Sequence, residues 1–261
     1  MLYLSIFIFL SFVLNETIIK KKILLDNLKF SKHKKLTTSN KKIPVTSGYI
    51  LISFIIFFNY QFNLLSTLLI SMIFLTGILS DVFKNFSPLT RLIIQFITTL
   101  LFININGIFI IETRIDFMDE LFSNYEYISI LFTIFCIIVL INGTNFIDGV
   151  NLNTIGYYIV VYSLLIYITY SQNIIIYNDF LIKLILVLLF LYIFNYFNKT
   201  QLGDGGAYLL SFFTAIYLIK FVNENNFISP YFIILLLWYP CFENLFSIIR
   251  KIYQKKKISS A

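Results

Sequence analysis

Long apolar stretches alternate with short polar segments along almost the whole chain. A helix needs about 17–25 mostly apolar residues to cross the roughly 30 Å hydrocarbon core of a bilayer, and nine stretches are of that order. They predict an all-α, polytopic membrane helix bundle of about nine transmembrane helices, forming one membrane domain over residues 1–261. The predicted spans are 1–19, 46–62, 64–80, 89–111, 127–142, 154–171, 179–197, 206–222 and 228–249.

Composition supports a membrane protein and excludes the soluble classes. The 261 residues are 59% hydrophobic and only 13% charged, whereas a soluble domain carries roughly 25% charged residues. Too few charges are present to cover a soluble surface, so a cytosolic enzyme or a nucleic-acid-binding domain is excluded despite the net charge of +7. Cys136 and Cys241 lie in apolar runs and are expected to behave as small hydrophobic residues.

The basic residues are concentrated on one predicted side of the membrane. Nine of the twenty lie between residues 20 and 42, and five more lie from Arg250 to the end of the chain. Loops rich in Lys and Arg stay in the cytoplasm, so with nine spans the N-terminus is outside and the C-terminus is cytoplasmic. The basic segment is interpreted as a topological signal that also contacts anionic membrane lipids, rather than as a site for nucleic acid.

Three polar motifs interrupt the apolar pattern, and this topology places all three on the cytoplasmic face. Each puts one aspartate at the mouth of an apolar helix, where an uncompensated charge is costly. A single aspartate of this kind is most simply explained as a helix cap or turn residue, but three on one side favour a shared site. The motifs are Gly77–Asp81, Asn142–Asn151 and Leu202–Tyr208.

These residues match the needs of phosphoryl transfer. Mg²⁺ prefers oxygen ligands, usually one or two carboxylates together with substrate phosphates and water. Phosphoryl transfer depends on positioning, on a metal that spreads charge over phosphate oxygens and on nearby basic groups. If residues 142–148 are helical, their spacing places two amides and one carboxylate on one face. Arg91 and Arg250 are candidate phosphate contacts.

The three motifs, in this order along the chain, resemble those of the polyprenyl-phosphate N-acetylhexosamine-1-phosphate transferases. This is the bacterial glycosyltransferase 4 family, which includes the initiating transferases of O-antigen and other surface polysaccharides. Residues 42–48 and Pro240–Arg250 are similar to two further family segments, so the resemblance covers roughly residues 26–257.

The resemblance implies a reaction, a location and partners. A UDP-N-acetylhexosamine is expected to give its sugar-1-phosphate to undecaprenyl phosphate with Mg²⁺, or alternatively Mn²⁺, and this step starts a lipid-linked surface glycan such as lipopolysaccharide. The enzyme is expected in the bacterial cytoplasmic membrane, with its active site on the cytoplasmic face. Neither the sugar nor the pathway is determined, and a homodimer is left open.

The resemblance also implies roles for individual residues. Asp204 corresponds to the family's magnesium-binding aspartate, and Asp81 and Asp148 correspond to its catalytic aspartates, without deciding which of them acts as a base. The predicted carboxylates should converge on one cleft. The remaining candidates are assigned to substrate binding and are Ser80, Arg91, Asn142, Asn145, Gly203 and Arg250.

The sequence departs from the family pattern at three places. Ser80 replaces the first aspartate of the family's Asp-Asp pair, and Asn151 and Leu152 replace an aspartate and a glycine of its Asp-Gly-x-Asp-Gly motif. The family's histidine-rich loop, which follows the segment near Arg250, is not found. These departures leave open an inactive or truncated relative that keeps the fold. A membrane transporter is a separate and less favoured alternative, because its ionisable residues are expected near the bilayer midplane, whereas the three aspartates lie at helix mouths.

Overall fold

Helices make up the regular structure of this computed structural model, which describes residues 1–21, 23–24, 43–58, 62–83, 85–172 and 178–253. Eleven helices lie within these residues, and the predicted all-α membrane bundle is confirmed. Their bounds are α1 Leu2–Lys21, α2 Ser47–Phe58, α3 Leu64–Val82, α4 Pro88–Asn106, α5 Asp116–Asn124, α6 Glu126–Ile147, α7 Asn153–Ser171, α8 Asn178–Tyr196, α9 Gly203–Glu224, α10 Pro230–Leu236 and α11 Trp238–Tyr253.

Every predicted span overlaps a helix or a helix pair of the described residues, but the helices are not all alike. Seven are long and apolar enough to cross a membrane within the described residues. The pair α10 and α11 bends by 64° and adds an eighth if it is one span. Helix α2 has 12 residues, which is about 18 Å of helix and less than the bilayer core. The count of nine spans and the orientation stay predictions.

Local sequence signals explain where several helices begin and end. The Asn63 side chain accepts a hydrogen bond from the Ser66 backbone N–H at 2.8 Å and caps α3. Ser87 caps α4 in the same way, by accepting from the Thr90 N–H at 3.0 Å, and Pro88 fills the first helical position, where no N–H is needed. Gly107 ends α4 with a φ of +62°, a conformation that glycine adopts readily.

Helix α5 was not predicted and lies in the polar segment between the fourth and fifth predicted spans. Two acidic residues, Asp116 and Asp119, lie in its first turn, where the positive end of the helix dipole favours them. Burial raises the pKa of the Asp119 carboxyl, but hydrogen bonds from Thr113, Arg114 and Ile115 outweigh it, so the pKa lies below its ordinary value. These hydrogen bonds fasten the chain just before α5 onto its first turn.

The helices form two compact units. The first unit contains residues Met1–Phe62 and Asp148–Ala207, and therefore helices α1, α2, α7 and α8 with the first turn of α9. Helix α7 packs on α8, and α8 also contacts α1 and α2. Its core is built from apolar and aromatic side chains, among them Phe54, Tyr158 and Tyr162, which are almost wholly buried.

The second unit contains residues Asn63–Ile147 and Tyr208–Ala261. Helix α6 packs on α11 and α4, and α4 also packs on α3. The rings of Phe102 and Phe212 meet edge to face, with their centroids 5.2 Å apart, and both are fully buried. The single membrane domain that the sequence suggests stays a prediction.

Candidate functional site

The three predicted carboxylates all lie at helix ends. Asp204 is the second residue of α9, Asp81 is the second-last residue of α3, and Asp148 directly follows α6; all three are half-buried. The helix dipole stabilises a carboxylate at an N-terminus and destabilises one at a C-terminus, by about 0.3–1 kcal/mol in each case. The helix dipole therefore accounts for Asp204 but not for Asp81 and Asp148, and the functional roles of all three stay predictions.

In the first unit, the chain just before Asp204 lies beside the segment that precedes α2. The Ser47 N–H donates to the Gln201 carbonyl at 3.2 Å, and the Gln201 N–H donates to the Pro44 carbonyl at 2.9 Å. Two of the family-like motifs, which are about 150 residues apart in sequence, are thereby brought together.

A cluster of buried hydroxyl groups reinforces this junction. Thr200 Oγ1 lies 2.6 Å from Thr46 Oγ1 and 2.9 Å from Ser47 Oγ. Thr46 Oγ1 also donates to Asn15 Oδ1 of α1 at 2.5 Å. Because polar groups are costly to bury unless they are hydrogen-bonded, these bonds fix the loop that carries Asp204.

Two positions at the start of α9 favour glycine, each for a different structural reason. Gly203 has a φ of +71°, which other residues rarely adopt. A Cβ at Gly206 would lie 2.6 Å from Leu202 Cδ1 and 3.0 Å from Gly48 Cα, so the small residue permits close packing of the two motifs. The predicted contact of Gly203 with substrate stays a prediction.

Leu152 occupies a position that favours glycine. It is the residue before α7, at the place where the family pattern has a glycine, and its φ is +70°. A side chain other than glycine costs roughly 1–2 kcal/mol in this left-handed region. The chain thus holds a left-handed backbone here without the residue that suits it.

This strain gives a prediction in which alanine and glycine change their usual order. Leu152→Gly is expected to be more stable than Leu152→Ala by about 1 kcal/mol, because both remove the side chain and only glycine tolerates the positive φ. Thermal unfolding of both proteins in detergent measures the difference. At Val150, which is not among the positive-φ residues, the alanine variant should be at least as stable as the glycine variant. If alanine is also at least as stable as glycine at Leu152, the left-handed conformation assigned to Leu152 is contradicted.

In the second unit, three of the predicted substrate-binding residues meet around one tyrosine. Arg91 Nη1 donates to Ser80 Oγ at 2.8 Å and to Tyr208 Oη at 3.2 Å. Asn145 Nδ2 donates to the same Tyr208 Oη at 3.5 Å. Tyr208 was missed as a site residue at the level of the sequence, although it closes the Leu202–Tyr208 motif.

Asn142 and Asn145 share a face of α6, since the helix continues through Ile147. Asn142 Nδ2 donates to the Ile138 carbonyl at 2.9 Å and to Gln95 Oε1 of α4 at 3.4 Å. Gln95 is fully buried and was also missed, because a lone glutamine in an apolar span shows nothing of its partner. It links Asn142, the first asparagine of this face, to α4.

Arg250 lies on α11 and lines a surface cleft of about 360 Å³. The cleft combines an acidic, a basic and a hydroxyl group with aromatic and aliphatic side chains. Its other lining residues are Glu243, Phe246, Ser247, Ile249 and Tyr253. A phosphate contact by Arg250 stays a prediction.

The Mg²⁺ site that the sequence predicts stays a prediction. Over the described ranges, no three His, Cys, Asp or Glu residues form a group that could hold a metal ion. Mg²⁺ needs only one or two carboxylates when substrate phosphates and water complete its shell, which suits Asp204. Ser80 is a poor metal ligand because the cationic Arg91 donates to it, and this neighbour favours a phosphate instead.

The convergence of the three carboxylates stays a prediction. Asp148 and Asp204 belong to the first compact unit, and Asp81 belongs to the second. The structure does bring together Arg91 and Asn145, through Tyr208, and Ser80, through Arg91.

Comparison with known proteins adds one family match. A family model described as glycosyl transferase family 4 matches residues 62–222, which is more than half of the chain. The matched range includes all three aspartate motifs and Arg91, whereas Pro44–Gly48 and Pro240–Arg250 lie outside it. No curated protein matches the sequence.

Proposed function

The chain belongs to glycosyl transferase family 4, and we propose that it transfers an N-acetylhexosamine-1-phosphate from a UDP-sugar to undecaprenyl phosphate. The family transfers phospho-sugars to polyprenyl phosphate and uses nucleotide sugars in general. The observation that carries the proposal is Arg91, a cation held by two hydroxyl groups inside the matched range. A guanidinium fixed in this way suits a phosphate.

In the proposed reaction, an oxygen of the lipid phosphate attacks the β-phosphorus of the UDP-sugar. A new P–O bond forms, and the bond between the β-phosphorus and the oxygen bridging to the α-phosphorus breaks. UMP leaves with that bridging oxygen, and the product is the lipid diphosphate-sugar. A phosphate monoester is largely ionised at neutral pH, so the attacking oxygen needs little help from a base.

Each candidate residue would contribute to this reaction according to its charge. Asp204 would hold Mg²⁺, which spreads negative charge over the phosphate oxygens when it is bound. Arg91 and Arg250 would contact phosphates, and Asn142 and Asn145 would contact the nucleotide. Asp81 and Asp148 are the catalytic candidates, and neither is assigned as the base.

The test is product formation by the purified protein in bilayers that contain undecaprenyl phosphate. UDP-N-acetylglucosamine and UDP-N-acetylgalactosamine are supplied separately, and lipid-linked product is measured by chromatography and mass spectrometry. Product should require Mg²⁺, disappear with EDTA and be absent without the acceptor lipid. If the folded protein forms product with neither sugar, the proposal is wrong.

An inactive relative is the second candidate, and one observation favours it. Ser80 replaces a carboxylate of the family pattern, so one acidic group of the family's Asp-Asp pair is missing from this chain. An inactive relative would bind UDP or the lipid phosphate and form no product. Equilibrium binding of UDP, measured beside the product assay, separates the two candidates.

A further inference from the structure

Tyr208 joins donors from two other helices at one oxygen atom. It lies on α9 with 1% of its surface exposed, and its hydroxyl oxygen accepts from Arg91 of α4 and from Asn145 of α6. All three residues belong to the second compact unit. The phenol oxygen thereby links α4 and α6 to α9, at 3.2 Å from Arg91 Nη1 and 3.5 Å from Asn145 Nδ2.

The hydrogen bond to Tyr208 restricts the side chain of Arg91 most. Arginine has a long side chain with many rotamers, and a ligand that binds a mobile guanidinium must pay for ordering it. Here the same atom, Nη1, donates to both Ser80 and Tyr208. Both partners are neutral hydroxyls, whereas a carboxylate at position 80 would place a negative charge against the guanidinium.

We propose that Tyr208 is a positioning residue that holds Arg91 and Asn145 in the arrangement required to bind the diphosphate of the nucleotide sugar. The inference deepens the proposed function, on which the identity of the ligand rests. Tyr208 itself acts through its two partners. Its hydroxyl, rather than its ring, is the part that matters.

The first test measures the order of Arg91 directly and needs no enzymatic activity. Tyr208→Phe keeps the ring and removes the hydroxyl. Purified protein without substrate is treated with phenylglyoxal, which modifies arginine, and the modification rate of each arginine is followed by peptide mass spectrometry. Arg91 is expected to react several-fold faster in the variant, while Arg114 and Arg250 keep their wild-type rates.

Two results of the labelling experiment would overturn the inference. An unchanged rate at Arg91 would show that the hydroxyl does not restrain it. An equal increase at all three arginines would show a loosened fold rather than a local effect. Tyr217→Phe is the matched control, since Tyr217 is another buried tyrosine of α9 and stacks between Phe213 and Phe221; it should leave the rate at Arg91 unchanged.

The second test uses the transfer reaction and separates this inference from the proposed function. Once the wild-type protein is shown to form product, Tyr208→Phe should lower kcat/KM for the nucleotide sugar about tenfold, which is the effect of losing one hydrogen bond to a charged group. Most of this loss should come from a higher KM. Unchanged kinetics would overturn the role of Tyr208 and leave the proposed function intact. If the wild-type protein forms no product, the proposed function is wrong. The labelling experiment would still decide whether Tyr208 positions Arg91.

Discussion

Asp204→Asn is expected to lower the rate of lipid-linked product formation by about 100-fold or more. A carboxylate that holds Mg²⁺ contributes several kcal/mol to the stabilisation of transition-state charge, and the neutral amide is a much weaker ligand. The substitution keeps the size of the side chain, so the loop fixed by Thr200, Thr46 and Ser47 should stay folded. The measurement is initial rate against Mg²⁺ concentration for both proteins.

Asp179→Asn is the matched control for this variant. Asp179 is the second residue of α8, as Asp204 is of α9, so each substitution removes one acid from the first turn of a helix. Asp179 is largely exposed and pairs with Lys183 at 2.5 Å, and an exposed pair contributes little to stability. The control should keep wild-type activity. An equal loss in both variants would mean that Asp204 acts only on its helix.

Gly143→Ala is expected to destabilise the protein more than the same substitution at Gly156 or Gly206. A Cβ at this position would lie 2.0 Å from the Pro240 carbonyl oxygen and 2.6 Å from its carbonyl carbon. Both are backbone atoms of α11, so α6 and α11 must move apart. Overpacking of this kind costs about 1–3 kcal/mol or more. The hydrogen bond from Asn244 Nδ2 to the Val139 carbonyl, 3.3 Å long, should weaken as well.

Thermal unfolding in detergent measures this effect, and Gly156→Ala is its control. A Cβ at Gly156 would lie 3.2 Å from Tyr192 Cε2, an atom of a side chain that can shift. Since alanine also favours the helix by about 1 kcal/mol over glycine, Gly156→Ala should be neutral or stabilising. A melting temperature for Gly143→Ala at or above the wild-type value would contradict the close packing of α6 on α11.

The apolar pattern predicted the helices well because the bilayer fixes how long an apolar segment must be. It failed where a helix ends inside an apolar run. The fourth predicted span extends to residue 111, yet α4 ends at Asn106, because Gly107 adopts a left-handed conformation. The residues that follow are still apolar, so hydropathy cannot mark the end, and only the glycine itself carries the signal.

The candidate site was predictable as motifs but not as contacts. Ser80, Arg91 and Asn145 could be chosen from the sequence because charged and amide groups are conspicuous in apolar surroundings. The common partner of Arg91 and Asn145 could not be chosen in this way, since Tyr208 lies 117 residues from Arg91 and 63 from Asn145. A tyrosine in an apolar helix is most simply a core residue, and only the fold shows which donors reach its hydroxyl.

The most direct test of the proposed reaction follows two labels in one donor molecule. A UDP-N-acetylhexosamine carrying ³²P in its β-phosphate and ³H in its sugar is incubated with the protein, Mg²⁺ and undecaprenyl phosphate. If the sugar-1-phosphate is transferred, both labels enter the lipid product in equal amounts, and unlabelled UMP is released. Tritium in the lipid without ³²P, together with release of labelled UDP, would show transfer of the sugar alone and would contradict the account.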